Sequence, residues 1–129
     1  LMIKVDVLRL PSRPLQTKAI KVDEAGVVFE IELRELTALE ELEASSLAAE
    51  CQDMYPNGVN LGEGVGLANA TPRAWLTACR LSKMQVQNLY SPEEFLAIFH
   101  KLPSVASALF SVVFGSWGDD EKKEPAPKS

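Results

Sequence analysis

The sequence predicts an α+β fold: a small N-terminal antiparallel sheet of two to three strands, packed with about four α-helices, then a disordered C-terminal tail. Three observations predict it. Val27, Phe29, Ile31 and Leu33 alternate with Val28, Glu30, Glu32 and Arg34, the period-two pattern of a half-buried strand. Thr37 with Glu40, and Ser91 with Glu94, form capping boxes that open helices. The C-terminal stretch GSWGDDEKKEPAPKS is rich in charge, Pro and Gly and has no large apolar side chain beyond Trp117, so it cannot offset its ordering entropy. Residues 2–115 are therefore expected to form one globular domain, and residues 116–129 a flexible charged tail.

The elements follow in chain order. Leu1 precedes Met2, which is expected to be the natural start. Ile3, Val5 and Val7 share one side of an alternating run, with Lys4 and Asp6 on the other. A first strand is expected over residues 3–7, pairing alongside the rest of the sheet. The phase flips at Leu8 and Leu10, and the two prolines of residues 11–14 end the run, because they cannot continue a ladder. Residues 15–22 are a weaker strand candidate ending in Ile20 and Val22. DEAG (residues 23–26) reads as a turn short enough to make 15–22 and 27–34 an antiparallel hairpin. A sheet this small needs a helix on its apolar face.

The box at Thr37 opens a helix over residues 38–54. Leu39, Leu42, Ser46 and Ala49 lie near one another on it, but Glu43 and Glu50 interrupt the arc. Its many Ala and Ser residues allow close helix approach while burying little area. YPNG (residues 55–58) is a turn. Gly62-Glu63-Gly64-Val65-Gly66 is expected to be a flexible loop. A phosphate cradle would need a preceding strand and a lysine in the P-loop position, and Glu63 would repel the ligand. Thr71-Pro72 starts the next helix, expected to end near Val86 and to bury Trp75.

The densest apolar stretch is Tyr90–Phe114. Ser91 is N-cap, Pro92 N1 and Glu94 N3, and Tyr90 and Phe95 are placed for a hydrophobic staple. Phe95, Ile98, Phe99 and Leu102 make one face, and Pro103 ends the helix. Ser104 is expected to cap a second helix that stops near Gly115. On that helix Val105, Ala108, Leu109 and Val112 form one face; Ala106, Phe110 and Phe114 lie well round from it, with Val113 between. The arc is wider than a surface helix needs. Either the helix is sandwiched within its fold or its outer side meets a partner.

Composition narrows the function classes. Apolar residues make up 47% and charged residues 24% of the 129, ordinary for a globular chain. No apolar run reaches the roughly 18 residues of a membrane span, and no secretory signal is expected. The net charge is −5, with no basic cluster, which argues against nucleic-acid binding. Residues 30–53 hold eight carboxylates against Arg34 alone, a local −7. That stretch is either a solvated helix face or an acidic surface for a basic partner or a neighbouring subunit. Cys51 and Cys79 are expected to be buried reduced thiols, with a single bridge between them as the alternative. His100 is the only histidine, so a nucleophile–base pair and a zinc site both lack parts. No enzyme, cofactor or metal is expected.

The order of elements resembles the tail assembly chaperones of long-tailed bacteriophages. The carrying residues are the β portion running into FEIELRELTALEELEA (Phe29–Ala44), a Gly-containing middle, the SPEEF helix start (Ser91–Phe95) and a short charged tail. The resemblance covers residues 2 to about 115. It implies a non-enzymatic protein of the host cell cytoplasm that binds the tape measure protein, keeps it soluble and helps recruit tail tube protein. It also implies that this chain is the shorter of two frameshift products. Another phage structural adaptor, of the head–tail or tail-completion kind, is the alternative. Phe110, Val113, Phe114, Leu39 and Leu42 are the candidate partner-binding residues, and self-association is a further expectation.

Overall fold

The computed structural model describes residues 2–115 and Trp117. The expected tail, residues 116–129, lies outside the described residues apart from Trp117.

A hairpin of β1 (Thr17–Glu24) and β2 (Val27–Arg34) forms the sheet. Its two-residue loop is Ala25-Gly26, with φ of 53° and 77°. Two positive φ values give the loop the right-handed twist of the strands it joins. The register sets Ile20 opposite Ile31 and Val22 opposite Phe29. Ile20, Phe29, Ile31 and Leu33 are buried, while Ala19, Lys21, Glu30 and Glu32 face solvent. The expected α+β class, with a small sheet and four helices, is what the chain adopts.

Residues 3–7 correct the expectation of a first strand. They pair with nothing among the described residues, and Val7–Arg9 forms a single 3-10 turn. Met2, Ile3, Val5, Val7, Leu8 and Leu10 are all exposed, Ile3 by 85%. Alternation requires only that one side of a segment be apolar; it does not supply the neighbouring strand.

Helix α1 (Ala38–Met54) begins at the expected capping box, with Thr37 and Glu40 bonded reciprocally. Its buried positions are Ala44, Ala48 and Cys51, spaced four and three residues apart. These small side chains let α1 lie close against α2 (Pro72–Met84), its main neighbour. The face carrying Leu39 and Leu42 points outward. Helix α2 buries Trp75, Ala78, Cys79, Leu81 and Met84, and ends at Met84 instead of Val86. The reason is tertiary. Gln85 pairs with Leu33 in an isolated bridge, and the Val86 N–H donates to the Glu32 carbonyl at 3.0 Å. The buried Gln85 side chain then holds the connection: its amide nitrogen donates to the Tyr90 carbonyl at 2.6 Å, and its oxygen accepts from Leu89 and Tyr90 N–H.

Between α1 and α2 the chain makes a short hairpin of β3 (Val59–Asn60) and β4 (Leu67–Ala68), with Val59 and Leu61 in the core. The Gly-rich segment is the tip of this hairpin, so a two-residue strand does precede it. Its amides are turned inward: Val65 and Gly66 N–H donate to the Gly62 carbonyl, and Gly62 N–H to Asn60 Oδ1. Gly58 has φ of 104°, and a Cβ there would sit 3.1 Å from the Ala68 carbonyl oxygen, which the tight strand approach excludes.

Helix α3 (Pro92–Lys101) has the expected capping box, and the Tyr90 and Phe95 rings meet edge to face at 5.6 Å. Helix α4 (Pro103–Val113) follows at once. Ser104 is not its cap. Leu102 occupies N-cap, Pro103 N1, and the free amides of Ser104 and Val105 donate to the Glu24 carboxylate at 3.1 and 3.0 Å. A carboxylate from the end of β1 thus caps a helix some 80 residues away, where it also meets the positive end of the helix dipole. At the other end, Lys18 lies over the Trp117 ring at 4.8 Å. Glu24 and Lys18 are on the same side of β1, so α4 runs antiparallel beneath that strand. The wide apolar arc of α4 is mostly covered: Val105, Ala106, Leu109, Val112 and Val113 are all buried.

Candidate functional site

The five candidate partner residues do not form one surface. Val113 is corrected to a core position, 3% exposed, where it packs within the main apolar cluster. Leu39 and Leu42 are exposed, on α1. Phe110 is half-buried and Phe114 is 55% exposed. These two rings lie 6.3 Å apart, and Phe110 also meets Phe99 edge to face at 5.0 Å.

The three rings line an apolar hollow of about 280 Å³ between α2, α3 and α4, closed on the α2 side by Arg73, Ala74 and Thr77. A second hollow of about 340 Å³ adjoins it across Arg73, Thr77 and Phe114, and extends along Pro72, Leu76 and Arg80. Together they make one groove that runs beside α2 and is divided by the Phe114 ring. Phe114 is held there because α4 ends one residue earlier, at Val113, and the Phe114 N–H still donates to the Phe110 carbonyl. The Arg73 guanidinium sits 5.8 Å from the Phe114 ring centre, a cation–π geometry. The floor is apolar and the rim is basic. Sequence periodicity located Phe110 and Phe114, but Arg73, Leu76 and Phe99 come from other helices and could be joined to them only by the fold.

Four of the eight carboxylates of residues 30–53, Glu35, Glu40, Glu41 and Glu43, are held in ion pairs among the described residues. Arg34 binds Glu40 in a two-pronged pair at 2.9 and 2.7 Å. Arg80 reaches Glu41 at 2.9 Å and Lys83 reaches Glu43 at 3.3 Å, which ties α2 to α1. Arg13 grips the buried Glu35 with two bonds of 2.9 Å. The Arg34 guanidinium, with the Thr37 amide, holds the Glu40 carboxyl down at about 2. Arg13, with the Gln16 amide, holds Glu35 below the ordinary carboxylate range. Half of the acidic stretch is thus an intramolecular set of ion pairs, while Glu30, Glu32, Glu50 and Asp53 stay exposed to solvent.

Cys51 and Cys79 are buried, free and adjacent across the α1–α2 contact. Burial pushes both thiols up, Cys79 to about 12, so neither thiolate forms near neutral pH. His100 is exposed in the last turn of α3. Among the described residues, no group of three or more His, Cys, Asp or Glu side chains is placed to hold a metal ion, and no helix is long and apolar enough to cross a membrane. A larger hollow of about 490 Å³ lies among Ala19, Glu30, Ile31, Glu32, Gln87 and Leu89; the groove around Phe114 differs from it in being lined by aromatic rings. Comparison of the sequence and structure with family models, curated proteins and solved structures finds no match.

Proposed function

We propose that the protein is a non-enzymatic tail assembly chaperone of the long-tailed bacteriophage kind. In this reading it acts in the host cell cytoplasm, binds the tape measure protein, keeps it soluble and helps recruit tail tube subunits. The observation that supports the reading is the groove of Phe99, Phe110 and Phe114 beside α2. An amphipathic client helix presents apolar side chains at i, i+3, i+4 and i+7, and such a stripe needs an elongated apolar floor. The groove provides one, and Arg73 at its rim suits a client helix with carboxylates flanking that stripe. The half-exposed Phe114 ring is the anchor, since an aromatic side chain offers large contact area for little rotamer entropy.

Co-expression with a long helical phage tape measure protein tests this. The wild-type chain is expected to hold that client in the soluble fraction and to co-purify with it. Phe114→Asp, which changes an exposed position and leaves the core intact, is expected to lose at least tenfold in client affinity. An equally insoluble client with and without the protein sinks the proposal. So does finding the protein retained in purified particles, where a head–tail or tail-completion adaptor would remain.

A further inference from the structure

Among the described residues, 3–7 have the composition of a strand and no strand to pair with, while the β1 edge of the hairpin has no strand paired to it. The two vacancies fit each other. The Glu35 N–H donates to the Gln16 carbonyl, which fixes the phase of the β1–β2 ladder. Lys18, Ile20, Val22 and Glu24 therefore bond towards β2, and the amides and carbonyls of Ala19, Lys21 and Asp23 point out of the sheet. Those three residues are exposed. The opposite edge, along β2, is already engaged where Glu32 accepts from Val86.

We infer that residues 3–7 add as an antiparallel third strand to the free β1 edge of a second copy of this chain. One register satisfies both charge and hydropathy. With Lys4 opposite Asp23, Asp6 falls opposite Lys21, so two opposite-charge pairs form on the wet face. The same register sets Val5 opposite Val22 and Val7 opposite Ile20, on the face where Ile20 is buried. It also makes Lys4–Asp23 and Asp6–Lys21 the hydrogen-bonded pairs, which the outward groups of Lys21 and Asp23 require. Shifting by two residues puts Lys4 against Lys21. Along β2, antiparallel placements give one favourable charge pair at most, because Glu30 and Glu32 repel Asp6. In pairing, Val7 leaves its 3-10 turn and Asp6 exchanges its exposed 3.3 Å contact with Arg9 for Lys21. Both are small costs beside five residues of ladder and the cover given to Ile3, Val5 and Val7.

The donor is a second copy because the arm is tied back in its own chain. Arg13 is clamped to Glu35, at the end of β2, and Pro11 and Pro14 flank it. A turn onto the outer side of β1 would have to be made within this fixed segment. A neighbouring copy needs no reversal, and strand addition to an open edge is a general recognition mode.

The test uses the full chain and light scattering with size-exclusion chromatography. The wild type is expected to run above monomer mass, and Val5→Asp with Val7→Asp at monomer mass with unchanged circular dichroism. Lys4→Asp alone is expected to lose the association, and Lys4→Asp combined with Asp23→Lys to regain it. Mixed copies carrying Lys4→Cys or Asp23→Cys are expected to form an intermolecular disulfide. A monomeric wild type overturns the inference. Association that survives Val5→Asp with Val7→Asp also overturns it. A Lys4→Cys, Asp23→Cys double variant that cross-links only within one chain overturns it too, because the strand would then pair in cis.

Discussion

Residues 3–7 and residues 27–34 carry the same alternating chemistry and end in opposite environments. Leu33, in β2, is fully buried, opposite β1 on one side and bridged by Gln85 on the other. Ile3, Val5 and Val7 are exposed to water. The difference lies in the neighbours. The β2 residues are two residues from β1 across a turn, so their ladder closes with almost no loop entropy. The arm is separated from the sheet by two prolines and by the Arg13–Glu35 clamp. A strand is a property of a pair, and the pattern in one segment specifies only which side would be buried if a partner arrived.

The comparison can be broken most sharply by truncation on each side. Leu33→Ala is expected to lower the unfolding free energy by about 2–5 kcal/mol in urea titration. Val5→Ala, measured at a concentration where the chain is monomeric, is expected to change it by less than about 0.5 kcal/mol. Equal costs would mean that the arm packs on its own domain.

A middle-sized effect is expected at the arm's root. Glu35→Ala removes the acceptor of Arg13 and of the Gln16 amide, and is expected to cost about 1–2 kcal/mol, reduced by the solvent exposure of Arg13. It should also raise proteolysis between residues 9 and 16 before the hairpin is cut. The same clamp and the Arg34–Glu40 pair predict acid sensitivity. Both carboxyls are held below their ordinary value of 4.5 when folded, Glu40 at about 2. Their stabilisation is present above about pH 4.5 and is lost as pH falls towards 2. Thermal melts across that window are expected to show a smaller loss in Glu40→Gln than in the wild type.

The smallest effect concerns the turn that gives β2 its partner. Ala25 has φ of 53°, which an alanine adopts at a cost. Ala25→Asn, the residue favoured before Gly in such a turn, is expected to stabilise by about 0.5–1 kcal/mol. A loss instead would mean that the methyl group of Ala25 makes a contact worth more than the backbone strain.

The sequence by itself determined the hairpin, both capping boxes, the Tyr90–Phe95 staple and the limits of α1 and α3, to within a residue or two. Each rests on groups close in the chain, three to five residues apart in the capping boxes and staple and at most 17 in the hairpin, whose hydrogen bonds and side-chain spacing are written in neighbouring positions. Tertiary structure decided the rest. It chose Glu24 over Ser104 as the cap of α4, stopped α2 at Met84 by pairing Gln85 with the sheet, and turned most of the α4 arc, Val113 included, into core. It paired Glu41 and Glu43 of α1 with Arg80 and Lys83 of α2, and it assembled Phe99, Phe110, Phe114 and Arg73 from three helices into one groove. It also left residues 3–7 without a strand partner among the described residues. These outcomes depend on which distant surfaces come together, and no window of the sequence holds both surfaces at once.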